Sequence, residues 1–220
     1  MPSEFPGSPK LLKGALVVYA TKLPVPSSII VFQYNPDTMS RSFFEESSGE
    51  DPRLPGGDPT AVLGPPVEMV DLTVELDAAD QLESGDRLAR VLGIHPALAA
   101  LELLLYPPSK VLVQIKGLAK VGISMITPAE LPIVLLVWGR ARVLPVRVTS
   151  VNVMEQAFDE RLNPIQATVA LGMTVLSEAQ LRRAGPPWNA LGLVTQKAKE
   201  KAAGLGSEAI SVDIRGLLPL

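Results

Sequence analysis

The feature that most constrains this chain is strict two-residue alternation over long stretches. From Ile165 to Val175, the residues Ile165, Ala167, Val169, Leu171, Met173 and Val175 share one face, while Gln166, Thr168 and Thr174 share the other. Successive side chains of a strand point to opposite faces, so this pattern predicts a strand buried on one side only. Val70, Leu72, Val74 and Leu76 alternate in the same way with Asp71, Thr73, Glu75 and Asp77, which predicts a second strand with an acidic outer face. Ala15–Ala20 and Ile29–Tyr34 are shorter β-branched and aromatic runs, and Pro24 and Pro26 between them remove backbone donors and divide them into two strands. Leu131–Trp138 is apolar on both faces. Across Ala141–Met154 the apolar positions pass from even (Leu144, Val146, Val148) to odd (Val151, Val153), a phase change that predicts a bulge or bend near Ser150. The polar stretch Glu155–Pro164 lies between two long strands and reads as a hairpin tip.

Helical signals are fewer. Ser84-Gly85-Asp86 caps a predicted helix over Arg87–Leu92, and Pro96 opens a second segment that reaches Tyr106 before Pro107-Pro108 stops it. A third is predicted over Trp188–Ala203, where Trp188, Leu191, Val194, Ala198 and Ala202 recur at helical spacing, with Gly204 as its end. Residues 41–66, rich in Pro, Gly, Ser and acid, read as a surface insertion. The domain organisation expected is a β domain over residues 1–176 and a helix with an extended tail over 177–220.

Composition removes most chemistry. Cysteine is absent, which excludes thiolate nucleophiles and Cys-ligated metal sites, and His95 is the only imidazole. His95 sits between helical segments beside Pro96, where packing or capping is its ordinary role. The acid pairs Asp77/Asp80, Glu45/Glu46 and Asp159/Glu160 stand at strand ends and turns, where carboxylates are usually just solvated. Gly56-Gly57 lacks the spacing and trailing lysine of a phosphate loop, and no serine has a nucleophile-elbow context. No catalytic, cofactor-binding or metal-binding residue is therefore assigned. A net charge of −3 without a basic block argues against nucleic acid. The apolar runs fall short of the roughly 18–20 residues that a membrane-spanning helix needs, so no membrane insertion is expected. A mean hydropathy of +0.26 is high for a monomer and suggests burial against other subunits.

Phe32–Thr38, Leu72–Asp80 and Leu131–Val175, taken in order, together resemble tube-type proteins of contractile injection systems, the phage-tail-like machines that include antifeeding prophages and Photorhabdus virulence cassettes. Phe32-Gln33-Tyr34-Asn35-Pro36 resembles the aromatic-Asn-Pro opening of that family, and Leu72–Asp80 its apolar strand ending in Leu-Asp. Leu131–Val175 is similar to its closing strands, with Trp138-Gly139, a Phe158-Asp159 tip and Pro164-Ile165-Gln166-Ala167 opening the last strand; Gln166 stands where the family commonly has Arg. The resemblance covers about residues 14–176. It implies a mainly β, α+β fold: a tail-tube-like antiparallel β-barrel or sandwich with a flanking helix and a C-terminal helical extension, assembled as a hexameric ring.

It also implies a structural role without catalysis, in a particle assembled in the cytoplasm. Insertion and tail make the chain asymmetric, which fits a baseplate adaptor that joins the inner tube to spike or hub, sheath and wedge proteins. A tube initiator or terminal cap of the same machine is the alternative, and a small-ligand or glycan-binding β-barrel the alternative of another class. The expected contact residues are Phe158, Asp159 and Arg161 at the hairpin tip, and Trp188, Leu217 and Leu218 toward the C-terminus. The apolar tail is expected to dock on a neighbouring subunit.

Overall fold

The computed structural model describes residues 12–19, 25–45, 64–107, 109, 113, 131–139, 142–186 and 188–209, the last five of these by backbone alone. The chain forms two compact units that divide between Ser177 and Glu178. The first holds seven strands: β1 (Ala15–Tyr19), β2 (Ser28–Val31), β3 (Met39–Phe44), β4 (Val67–Asp77), β5 (Ile133–Val137), β6 (Val143–Phe158) and β7 (Pro164–Val175). They pair antiparallel in one sheet of order β2-β1-β5-β6-β7-β4-β3. This is a mainly β architecture with flanking helices, in the α+β class.

The alternation seen in the sequence becomes the inner face of this sheet. Ala167, Val169, Leu171 and Met173 of β7 are buried, as are Val70, Leu72 and Val74 of β4 and Leu144, Val146 and Val148 of β6. The phase change in β6 is a register shift between Val148 and Ser150: Thr149 is skipped, and the apolar positions pass from even to odd numbers. Asp71, Thr73 and Glu75 point outward and are exposed.

Two expectations are corrected. The run 41–66 is not wholly an insertion, because Arg41–Phe44 belong to β3, which pairs with Val67–Leu72. Arg41, opposite the buried Val70, holds them there by donating through Nε (2.9 Å) and Nη2 (2.5 Å) to Glu68 Oε1. Glu68 is the only buried charged residue among those described, so this bond satisfies a group that burial would otherwise penalise. The rest of the stretch, 46–63, lies outside the described residues.

The second correction is the barrel, since no backbone rung joins edge strands β2 and β3 and the sheet is open. It is nevertheless curled, because residues 32–38 alone link β2 to β3 at the opposite edge. Six interstrand spacings of a flat sheet would put those edges about 29 Å apart. Eight chain steps reach that far only when fully extended, and this linker bends at Gln33, Tyr34 and Asp37.

Three short helices, α1 (Ala79–Glu83), α2 (Arg87–Leu92) and α3 (His95–Glu102), followed by a 3-10 turn at Leu103–Leu105, connect β4 toward β5. Asp86 caps α2 by accepting from Leu88 N (2.8 Å) and Ala89 N (2.9 Å). Ile94, Leu98, Leu101 and Leu104 join the inner-face residues of the sheet in one core. Gly93 makes the α2–α3 corner with φ +56 and ψ −134, and Ile94 N donates to Pro164 O at 2.9 Å. A Cβ at Gly93 would overlap that same carbonyl oxygen, so only glycine fits.

The second unit consists of α4 (Glu178–Ala184), a 3-10 turn (Trp188–Ala190) and α5 (Leu191–Ala209). Leu181 and Trp188 are buried. Helix α5 runs through Gly204 rather than ending there. Gly204 has no positive φ, and a glycine within a helix costs only about 1 kcal/mol.

Candidate assembly surfaces

The three stretches that carry the family resemblance meet in one seam. Phe32 leaves β2, is buried, and packs against Trp138 with ring centroids 6.4 Å apart. A Cβ on Gly14 would come within 2.8 Å of Phe32 and 2.9 Å of Trp138, so the bare backbone at Gly14 makes room for both rings. Asn35 accepts from Gly14 N (2.8 Å) and donates through Nδ2 to Leu12 O (2.9 Å), which fixes the linker to the start of β1.

Gln33 does the remaining work of closure. Its Nε2 donates to Asp77 O at 2.7 Å, and its Oε1 accepts from Asp77 N at 3.0 Å. A side-chain amide thus takes the place of one rung on the far end of β4, beyond Leu72, where β3 no longer pairs. Next to it, Ala78 N donates to Ile165 O at 2.9 Å and ties the end of β4 to the start of β7. The seam explains why an aromatic-Gln-aromatic-Asn order matters: the first residue fills the core, the second replaces a ladder bond and the fourth anchors the start of β1.

What the seam leaves outside is apolar along both sheet edges. Ile29 (58% exposed) and Val31 (54%) stand on β2, and Phe43 (52%) and Phe44 (53%) on β3. Edge strands with exposed apolar side chains are the sheet surfaces most prone to contact another chain.

At the β6–β7 tip, Asp159 turns its carboxylate into the loop. Oδ1 accepts from Arg161 N and Asn163 N, and Oδ2 from Asn163 Nδ2, each at 2.8 Å. These bonds, that from Asn163 Nδ2 first, hold the Asp159 carboxyl below its ordinary value. The loop they close holds Leu162 at φ +63 with its side chain 80% exposed. Phe158 (48%) and Met154 (65%) extend this exposed apolar group along β6. Of the expected tip residues, Phe158 and Arg161 face solvent, whereas Asp159 serves the loop itself. Trp188 is 4% exposed and packs inside the chain instead of offering its indole at the surface. Leu217 and Leu218 lie outside the described residues. Sequence reading missed Leu162, since a non-glycine residue in the left-handed region carries no compositional mark. It also missed Phe43 and Phe44, whose Met-Ser-Arg-Ser-Phe-Phe context hides the alternation of β3.

Two surface hollows accompany these features. An apolar one of about 510 Å³ lies beside β2, where Val18 and Ile30 face Ala100, Leu103, Leu104 and Tyr106. A polar one of about 480 Å³ lies on the outer face of β3, β4, β7 and β6. His95 is exposed in the first turn of α3, and Asp77 Oδ1 accepts from Ala79 N at 2.7 Å, a turn role. No helix among the described residues is long and apolar enough to cross a membrane. No protein-family model and no curated protein sequence matches the chain.

Proposed function

We propose that this chain is a structural ring subunit of a phage-tail-like contractile injection system, and within it the baseplate adaptor that joins the inner tube to hub, sheath and wedge proteins. The observation that carries the reading is the seam: the resembling stretches, scattered from Phe32 to Ile165, come together to curl one sheet while apolar side chains stay exposed along its edge strands. The apolar rows on β2 and β3 and the rigid tip with Phe158 and Leu162 supply separate surfaces for different neighbours, which suits an adaptor better than a repeating tube subunit. On this reading the protein catalyses nothing. It assembles in the cytoplasm into a hexameric ring and holds the tube to the baseplate until sheath contraction drives the tube out.

The test is co-purification. The tagged chain, expressed in its source organism, brings down sheath and tube proteins as one high-mass particle; recovery as a free monomer with no such partner overturns the proposal. The apolar hollow beside β2 favours a second reading, a small-ligand binder, for which a monomer with a defined apolar ligand is the expected result.

A further inference from the structure

The outer face of the sheet carries a hollow whose chemistry is matched elsewhere on the same chain. Its floor is Ala170 and Gly172 of β7, and Asp71, Thr73, Ser150 and Asn152 stand around it. The β6 bulge turns Ser150 and Asn152 to this face. A Cβ on Gly172 would run into Ser150 Oγ and come within 3.2 Å of Asp71 Oδ1, so the glycine keeps the floor open. Asp71 is the only charged residue of the lining, and Glu75 follows on the same exposed face of β4. The site is therefore negative, lined by hydroxyl and amide groups, and low-floored.

Helix α5 presents the complement. Lys197 and Lys201 are exposed one turn apart, and Ala198 and Ala202 beside them are exposed too. A ridge of methyl groups flanked by ammonium groups can approach a small-residue floor closely while its cations meet acids at the rim. The two lysines rise about 6 Å apart along the helix, and Asp71 and Glu75 stand about 13 Å apart along the strand. Flexible four-carbon stems cover that difference.

We propose that this hollow is a docking groove for the lysine-bearing face of α5 from a second copy of the chain. Both surfaces are exposed within one chain, and patch and groove differ, so the contact pairs two different surfaces, either reciprocally between two copies or in series from copy to copy. It is read from the chain alone and stands or falls independently of the particle in which the chain acts.

Because the chain has no cysteine, cross-linking is free of background. One population carries Thr73→Cys and the other Ala198→Cys, each checked by circular dichroism for an unchanged fold, and the two are mixed under mild oxidation at low ionic strength. The expected product is the mixed disulfide dimer. Asp71→Lys with Glu75→Lys in the first population lowers its yield several-fold, and Lys197→Glu with Lys201→Glu in the second restores it. No dimer, a yield indifferent to these reversals, or efficient bridging within a single chain carrying both cysteines would each overturn the proposal.

Discussion

Single residues decide this fold where the backbone leaves one option. At Gly93 the φ of +56 and the Pro164 carbonyl oxygen together exclude a side chain. Gly93→Ala is expected to cost about 3 kcal/mol, read as a lowered urea midpoint at unchanged slope. Asp159 is the electrostatic counterpart. Its carboxyl is held below the ordinary value of 3.8 by the Asn163 amide first and by backbone N–H groups after it. A depressed folded value means that the unfolded chain binds the proton more readily, so the loop's stabilisation is full above the ordinary value and is lost as pH falls through the depressed one. Carbon-detected NMR titration should give Asp159 a midpoint below the ordinary carboxylate value, and Asn163→Ala should return it upward. An unshifted midpoint contradicts the bonding described. Such residues were only partly legible in the sequence. Gly93 stood in a predicted corner and Asp159 in a predicted tip, but the positive φ of Leu162 depends on the closed loop around it and leaves no trace in residue order.

At the scale of elements, the long strands were plain because burial on one face imposes a period of two, and the β6 bulge was plain because it breaks that period. Strand β3 was not, since a charged residue, Arg41, stands opposite the buried Val70 and the strand's identity rests on Glu68, a partner 27 residues away. The end of α5 was misplaced for a different reason: Gly204 marks a stop only when the chain needs a left-handed turn there, and this helix does not. Closure was misjudged because a resemblance to barrels says nothing of the last rung, which here is made by a side chain. Gln33→Ala removes both of its bonds to Asp77, with an expected cost of about 1–3 kcal/mol. The effect should be local, as faster amide exchange at Asp77 with β7 still protected. Unchanged exchange at Asp77 would show that the seam does not depend on Gln33.

At the scale of the whole molecule, a curled open sheet with its apolar tip, and separately an exposed lysine-bearing helix, supply the surfaces on which the proposed assembly role rests. Among the described residues, exposed apolar side chains gather at the edge strands β2 and β3, at the tip and around the hollow beside β2. The proposed adaptor role rests on these surfaces being different from one another, so its most direct test is position. Electron microscopy of particles purified from the source organism, with this chain carrying a gold-binding tag, is predicted to show label confined to the baseplate end. Label repeated along the full length of the tube, or absent from the particles, would contradict the account.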